Sequence, residues 1–151
     1  MEQFSIGDRI FRIEYLKKEH SIDNYLNLLK QLSILDPITI SKNVFDNFID
    51  NLNDNHIVIV MVDVNLNIII GSTTIFKEQK LIHNMGKVAH IEDVIIDKNY
   101  RGYGLGKKMI ETANSISKEC YKISLNCSSE NVGFYQQLKF KLKENQMVIY
   151  N

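Results

Sequence analysis

The run "HIEDVIIDKNYRGYGLGKKMIE", His90 to Glu111, joins three things that few architectures can hold together. An apolar stretch rich in strand formers (Ile91, Val94, Ile95, Ile96) runs into a corner with three alternating glycines, Gly102, Gly104 and Gly106. Beyond it, Leu105, Met109, Ile110, Ala113 and Ile116 recur at helical spacing. Glycine at such a corner tolerates positive φ and leaves no Cβ in a ligand's way. The free N–H groups of the first helical turn then face outward at the positive end of the helix dipole, a ready site for an anion. Arg101, Tyr103 and Lys107 border this corner, and the two cations add charge to it. The expected guest is a phosphate or pyrophosphate, held where a sheet strand gives way to a covering helix.

The rest of the chain supplies the sheet and its partners. Residues 9–16, "RIFRIEYL", read as a strand. Ser21 can cap a helix over 22–32, and Ser41 a second one whose apolar stripe is Val44, Phe45, Phe48, Ile49 and Leu52. The only proline, Pro37, breaks the chain between them. Residues 56–64 and 68–79 are β-branched and read as a hairpin, followed by a strand over 87–97. A helix over 104–119, a strand over 121–127, a short helix over 131–139 and a closing strand, "NQMVIYN", complete the order. This is an α/β chain with an antiparallel front half and a βαβ-like back half, the helix crossing between parallel strands.

With 151 residues, one domain is expected. Eighteen basic and eighteen acidic side chains balance, so no field points to nucleic acid or a membrane surface. No stretch approaches the roughly 20 apolar residues of a membrane span, and "MEQFSIGDRIF" has no signal-peptide pattern. Two cysteines, Cys120 and Cys127, are too few for a disulfide framework and lack metal-site spacing, which fits a reducing cytoplasm.

The glycine corner is neither G-x-G-x-x-G nor G-x-x-x-x-G-K-[ST]. It fits [QR]-x-x-G-x-[GA] through Arg101, Gly104 and Gly106. That pattern resembles the pyrophosphate loop of the GCN5-related N-acetyltransferase (GNAT) superfamily, which binds acetyl-coenzyme A. Further along, Lys80-Leu81-Ile82-His83, His90-Ile91-Glu92-Asp93-Val94, Cys120-Tyr121-Lys122 and Asn131-Val132-Gly133-Phe134-Tyr135 are similar to the glucosamine 6-phosphate N-acetyltransferases, in order along almost the whole chain. The resemblance implies a mixed, mostly antiparallel twisted sheet flanked by helices. It also implies acetyl transfer from acetyl-coenzyme A to the amine of D-glucosamine 6-phosphate, on the route to UDP-N-acetylglucosamine, in a homodimer that exchanges its C-terminal strand and uses no metal.

Within that resemblance Glu92 is the candidate general base, and Tyr135 the acid that protonates the departing thiolate. A bulge in the Glu92 strand would free backbone N–H groups around Val94, Ile95 and Ile96 for the thioester and the pantetheine amides. Arg101, Gly102, Tyr103, Gly104, Leu105, Gly106 and Lys107 would hold the pyrophosphate, with Asn131, Phe134 and Tyr135 along the arm. Ser33, Lys80, Leu81, Ile82, His83, Asp93, Val94, Tyr121, Lys122, Asn126 and Tyr150 would meet the sugar phosphate, together with Glu92. His90 reads as a packed strand residue. Three positions depart from the family's pattern: Asn126 stands where an acid is usual, Tyr150 where an arginine is, and Lys139 where a glycine is. An acetyltransferase of another amine, such as a protein N-terminus or a polyamine, and a non-catalytic acyl-coenzyme A-binding module are the competing readings.

Overall fold

A computed structural model describes residues 2–33 and 40–150; the expected break at Pro37 lies outside them. The chain opens with a hairpin of β1 (Glu2–Ile6) and β2 (Arg9–Tyr15). Only β2 was expected. The connection is the two-residue turn Gly7-Asp8, where Gly7 takes φ 57°, and it sets Phe4 opposite Phe11 with ring centroids 5.7 Å apart. Helices α1 (Ile22–Leu29) and α2 (Lys42–Asp50) follow. Each starts on a serine hydroxyl: Ser21 Oγ accepts from Asn24 N and Ser41 Oγ from Val44 N, both at 3.3 Å. Helix α1 ends earlier than its sequence pattern, because Gln31 and Leu32 bond back three residues and tighten the last turn.

Strands β3 (His56–Asp63), β4 (Ile68–Gln79) and β5 (Lys87–Ile96) continue the meander. A single four-residue turn, α3 (Ile82–Met85), joins β4 to β5. Helix α4 (Leu105–Ile116) then crosses to β6 (Lys122–Leu125), and α5 (Val132–Gln137) packs behind it. The six strands lie in chain order, antiparallel throughout except for the parallel pair β5 and β6.

Two apolar layers hold the sheet. Helices α4 and α5 cover Ile13, Ile59, Met61, Ile75, Ala89 and Ile91 with Leu105, Met109, Ile110 and Tyr135. On the opposite face α1 and α2 bring Tyr25, Leu28 and Phe45 onto Val58, Val60, Val62 and Ile95. Each fully buried side chain of this size contributes about 1.5–3 kcal/mol. Where β3 and β4 shift register between Met61 and Val62, β4 backbone groups are released. Asn24 of α1 takes them, accepting from Ile69 N at 2.6 Å and donating to Ile69 O at 3.3 Å.

The closing strand expected over 145–151 is not formed in the single chain. Its described residues are irregular and exposed, Tyr150 at 91%. Among the described residues no strand lies on the free side of β6.

Candidate active site

A bulge interrupts β5 at the expected carboxylates. Thr74 of β4 stands opposite Glu92 and Ser72 opposite Ile95, so Thr73 alone faces Asp93 and Val94. Asp93 is driven to φ 52°, a left-handed conformation that costs a non-glycine residue about 1–2 kcal/mol. The extra residue also flips the strand's alternation. Ile91, Val94 and Ile96 share the α4 face and Ile95 takes the other, so Glu92 does not share a face with Val94 and Ile96 as a regular strand would require. Thr73, fully buried, donates from Oγ1 to the Glu92 carbonyl at 3.0 Å and braces the bulge.

Next to the bulge the sheet opens. β5 and β6 pair from Val88↔Lys122 through Ile91↔Leu125 and then part. Glu92 and Asn126, both exposed, are the first residues past the last pair and stand at the mouth of the resulting cleft.

At the end of β5 the glycine corner is fixed from three sides. Tyr100 Oη donates to the buried Asp63 carboxylate at 3.0 Å. Gln31 at the end of α1 donates to Asp97 at 2.8 Å and accepts from Lys98 N at 3.0 Å. Arg101 Nε donates to the Ile96 carbonyl at 3.2 Å. Between these ties Gly102 and Gly104 take φ 87° and 74°, and a Cβ at either would meet nothing within 4 Å. Open space therefore lies before the free N–H groups of Leu105, Gly106 and Lys107 at the start of α4. Phe134 of α5 closes one side: a Cβ on Gly106 would sit 3.4 Å from its ring. These residues fit a pyrophosphate with an acylated arm running into the cleft. Lys108 takes no part, because it pairs with Glu2 of β1.

The remaining expected residues divide into two groups. Turn α3 carries His83 onto Tyr121 with ring centroids 4.2 Å apart, so the Lys80–His83 stretch and the Tyr121-Lys122 pair form one wall. In that turn His83, Asn84 and Met85 all take positive φ, and Gln79 secures it by donating to the carbonyls of Lys80, Met85 and Gly86. Tyr135 lies 9% exposed between Phe134 and Phe140, beside Cys127. Burial first, and then Cys127, push its phenol above the usual value. Asn131 sits exposed at the start of α5. Ser33 is exposed just after α1, and Tyr150 lies in the irregular C-terminal segment, not gathered with the others in one chain. A groove of about 700 Å³ runs along the free side of β6, with Lys122, Ser124, Asn126 and Tyr135 on it and Phe140 and Leu142 facing them.

The sequence reading missed the residues that aim this site. Gln31, Asp63, Thr73 and Tyr100 carry no motif, and each acts on backbone or side chains 19 to 67 positions away.

This arrangement, a bulged strand, a splayed parallel pair and a glycine corner at a helix start, coincides with a known pattern. The sequence model of the Acetyltransferase (GNAT) family matches residues 24–140. The chain belongs to that family. GNAT proteins use acetyl-coenzyme A, which agrees with the space at Gly102 and Gly104. Glucosamine 6-phosphate N-acetyltransferase 1 of Dictyostelium discoideum is 44% identical over 124 residues, covering 77% of this chain and 79% of the relative. The Arabidopsis thaliana glucosamine 6-phosphate N-acetyltransferase is 32% identical over 145 residues, covering 93% and 96%. Its crystal structure superposes on this GNAT chain with TM-score 0.87 over 93% of this chain and 97% of that one. A Trypanosoma brucei acetyltransferase, 30% identical, gives 0.86 over 93% and 99%.

Proposed function

We propose that the chain is a glucosamine 6-phosphate N-acetyltransferase, moving acetyl from acetyl-coenzyme A to the 2-amine of D-glucosamine 6-phosphate. The observation that carries this reading is the mouth of the β5–β6 cleft. There Glu92 stands beside a braced bulge, with the Lys80–His83/Tyr121-Lys122 wall on one side and the glycine corner beyond. The relatives quoted above carry the same activity in their names and span most of the chain.

In this reading the corner from Arg101 to Lys107 holds the diphosphate, with Asn131 and Phe134 along the pantetheine. Backbone N–H groups of Val94 to Ile96, displaced by the bulge, point at the thioester oxygen, where donors fixed in advance stabilise the charge that develops. Glu92 takes a proton from the sugar ammonium, directly or through one water, and the freed nitrogen attacks the acetyl carbon. As the carbon–sulfur bond breaks, Tyr135 gives its proton to the sulfur, and the proton the new amide nitrogen sheds restores the phenol. Lys80 and Lys122 meet the phosphate, with hydroxyls from Ser33 and Tyr121, while Asp93 and Asn126 face the sugar. No step requires a metal.

The chain also reads as one half of a homodimer. Met147, Val148, Ile149 and Tyr150 are exposed apolar residues in strand-like sequence, and β6 offers a bare edge beside them. Exchange of these segments between two copies would cover both and would bring each Tyr150 to a neighbouring site. Cys120 and Cys127 are both free thiols, and a reducing cytoplasm is the compartment we infer. Among the described residues no helix is long and apolar enough to cross a membrane.

The test is thiol release from acetyl-coenzyme A with a panel of amines. Release with glucosamine 6-phosphate alone is expected. Release with peptides or polyamines but not with the sugar phosphate would overturn the reading, and binding without release would make the chain a regulatory module.

A further inference from the structure

His90, by sequence a packed strand residue, is the centre of a chain of contacts that crosses three strands. It stands opposite Phe76 of β4 and Ser124 of β6. Its Nδ1 lies 3.3 Å from Ser124 Oγ, and its Nε2 lies 3.2 Å from Glu78 Oε2. The other Glu78 oxygen accepts from Lys80 Nζ. Lys80, Glu78, His90 and Ser124 thus link β4, β5 and β6 on the face that carries Glu92, one pair before β5 and β6 separate.

The position of this link matters because β6 is weakly held. It has four residues, none of them fully buried, and a partner on one side only. A short edge strand of this kind specifies its register poorly. Among the described residues, the side-chain hydrogen bonds that tie β6 to β5 both run through Ser124, one to His90 and one at 3.4 Å to the Ala89 carbonyl. The link also survives a change of charge on His90. With a neutral ring, Nε2–H donates to Glu78 and Ser124 donates to Nδ1. With a charged ring, Nδ1–H donates to Ser124, which turns its own proton to Ala89.

We propose that His90 is a positioning residue for the transfer reaction. Through Ser124 it sets how far β5 and β6 splay, and so how Asn126 stands against Glu92. Through Glu78 it fixes the Lys80 ammonium on the phosphate wall. It touches no reacting atom. The inference rests on the acceptor reading given above, and its test separates the two.

In the full-length protein, His90→Phe fills the volume and deletes both hydrogen bonds. KM for glucosamine 6-phosphate should rise on the order of tenfold and kcat should fall several-fold, while acetyl-coenzyme A affinity measured by calorimetry falls by less than about threefold, because the glycine corner still holds the diphosphate. His90→Arg, whose forked guanidinium can donate to both Glu78 and Ser124, should restore most of the loss. Ser124→Ala added to His90→Phe should cost less than Ser124→Ala costs alone, since only the bond to the Ala89 carbonyl is then left to lose. Amide hydrogen exchange should quicken in Ile123–Leu125 and at Glu92–Asp93 and stay unchanged in β1 to β3, whatever the true acceptor is. Wild-type kinetics in His90→Phe, additive losses with Ser124→Ala, or equal losses in acetyl-coenzyme A affinity would each overturn the proposal. So would unchanged exchange in β6. Wild-type protein that ignores glucosamine 6-phosphate while His90→Phe still loosens β6 would sink the acceptor reading and leave the role of His90 in the splay standing.

Discussion

At Gly104 the backbone does two jobs that only glycine can combine: it takes φ 74° and it leaves the space before α4 open. Gly104→Val places a β-branched side chain in both. Acetyl-coenzyme A affinity should fall by more than about tenfold, with a loss of roughly 1–2 kcal/mol in stability from the strained φ. Calorimetry and thermal unfolding measure the two separately, and unchanged affinity would reject the corner as the diphosphate site. Asn126, at the mouth of the cleft beside Glu92, can accept a hydrogen bond from the sugar amine but cannot hold a proton. Asn126→Asp adds a second carboxylate there. That charge favours binding of the sugar's ammonium beside Glu92, which removes its proton. Turnover should hold or rise. A large fall would show that this chain arranges its acceptor site around the amide.

Among the elements, α5 ends on a residue under strain. Lys139 takes φ 71° and bonds to Gln136 O at 3.0 Å, and Phe140 N reaches Tyr135 O at 3.1 Å. The sequence already marked this position as one where glycine is usual, and the left-handed conformation explains why. Lys139→Gly should stabilise the protein by about 1 kcal/mol, or a melting point higher by roughly 2–4 °C for a chain of this size. A lower melting point would mean that the lysine side chain packs usefully. Other elements were equally legible. The strand formers of β4 and β5, the serine caps of α1 and α2 and the corner before α4 are all local signals, read from neighbouring residues. What could not be read depends on partners far away in sequence. The β1 strand is five residues long and is recognisable only through its turn at Gly7-Asp8. The strand-like "NQMVIYN" finds no neighbour among the described residues, because pairing is a property of the partner edge as much as of the segment. The bulge was anticipated, but its brace Thr73 and the corner's ties to Gln31 and Asp63 were not, since nothing in those residues announces where their hydrogen bonds go.

For the molecule as a whole, acid stability should rest on Glu14. It is 7% exposed and accepts from Lys17, Arg12 and His20. Burial pushes its carboxyl up, but those three hydrogen bonds outweigh it and bring the pKa from 4.5 to about 2. The folded value lies below the unfolded one, so this stabilisation is full above pH 4.5 and is lost as pH falls through about 2. Arg12 and Lys17 are partly exposed, so the stabilisation is on the order of 1–2 kcal/mol, less than the full shift would give. Glu14→Gln should be less stable in urea at neutral pH, and its stability should vary less between about pH 5 and 2. A variant with the parent's full slope would assign the acid sensitivity elsewhere. Assembly is tested by ending the chain after Glu144. Sedimentation should then report a monomer that still binds acetyl-coenzyme A but loses on the order of a hundredfold in sugar-phosphate turnover; a dimer that persists would rule out exchange of the C-terminal segments. The strand order has a temporal consequence as well. β1 to β5 each pair with the strand made just before or after them, so they can assemble while the polypeptide is still emerging. β6, the last strand made, must also wait for α4 to be laid down and folded back. A chain made only through β5 therefore already carries Glu92 on a formed strand yet has no crevice for a thioester, and chemistry begins only with the last closure of the fold.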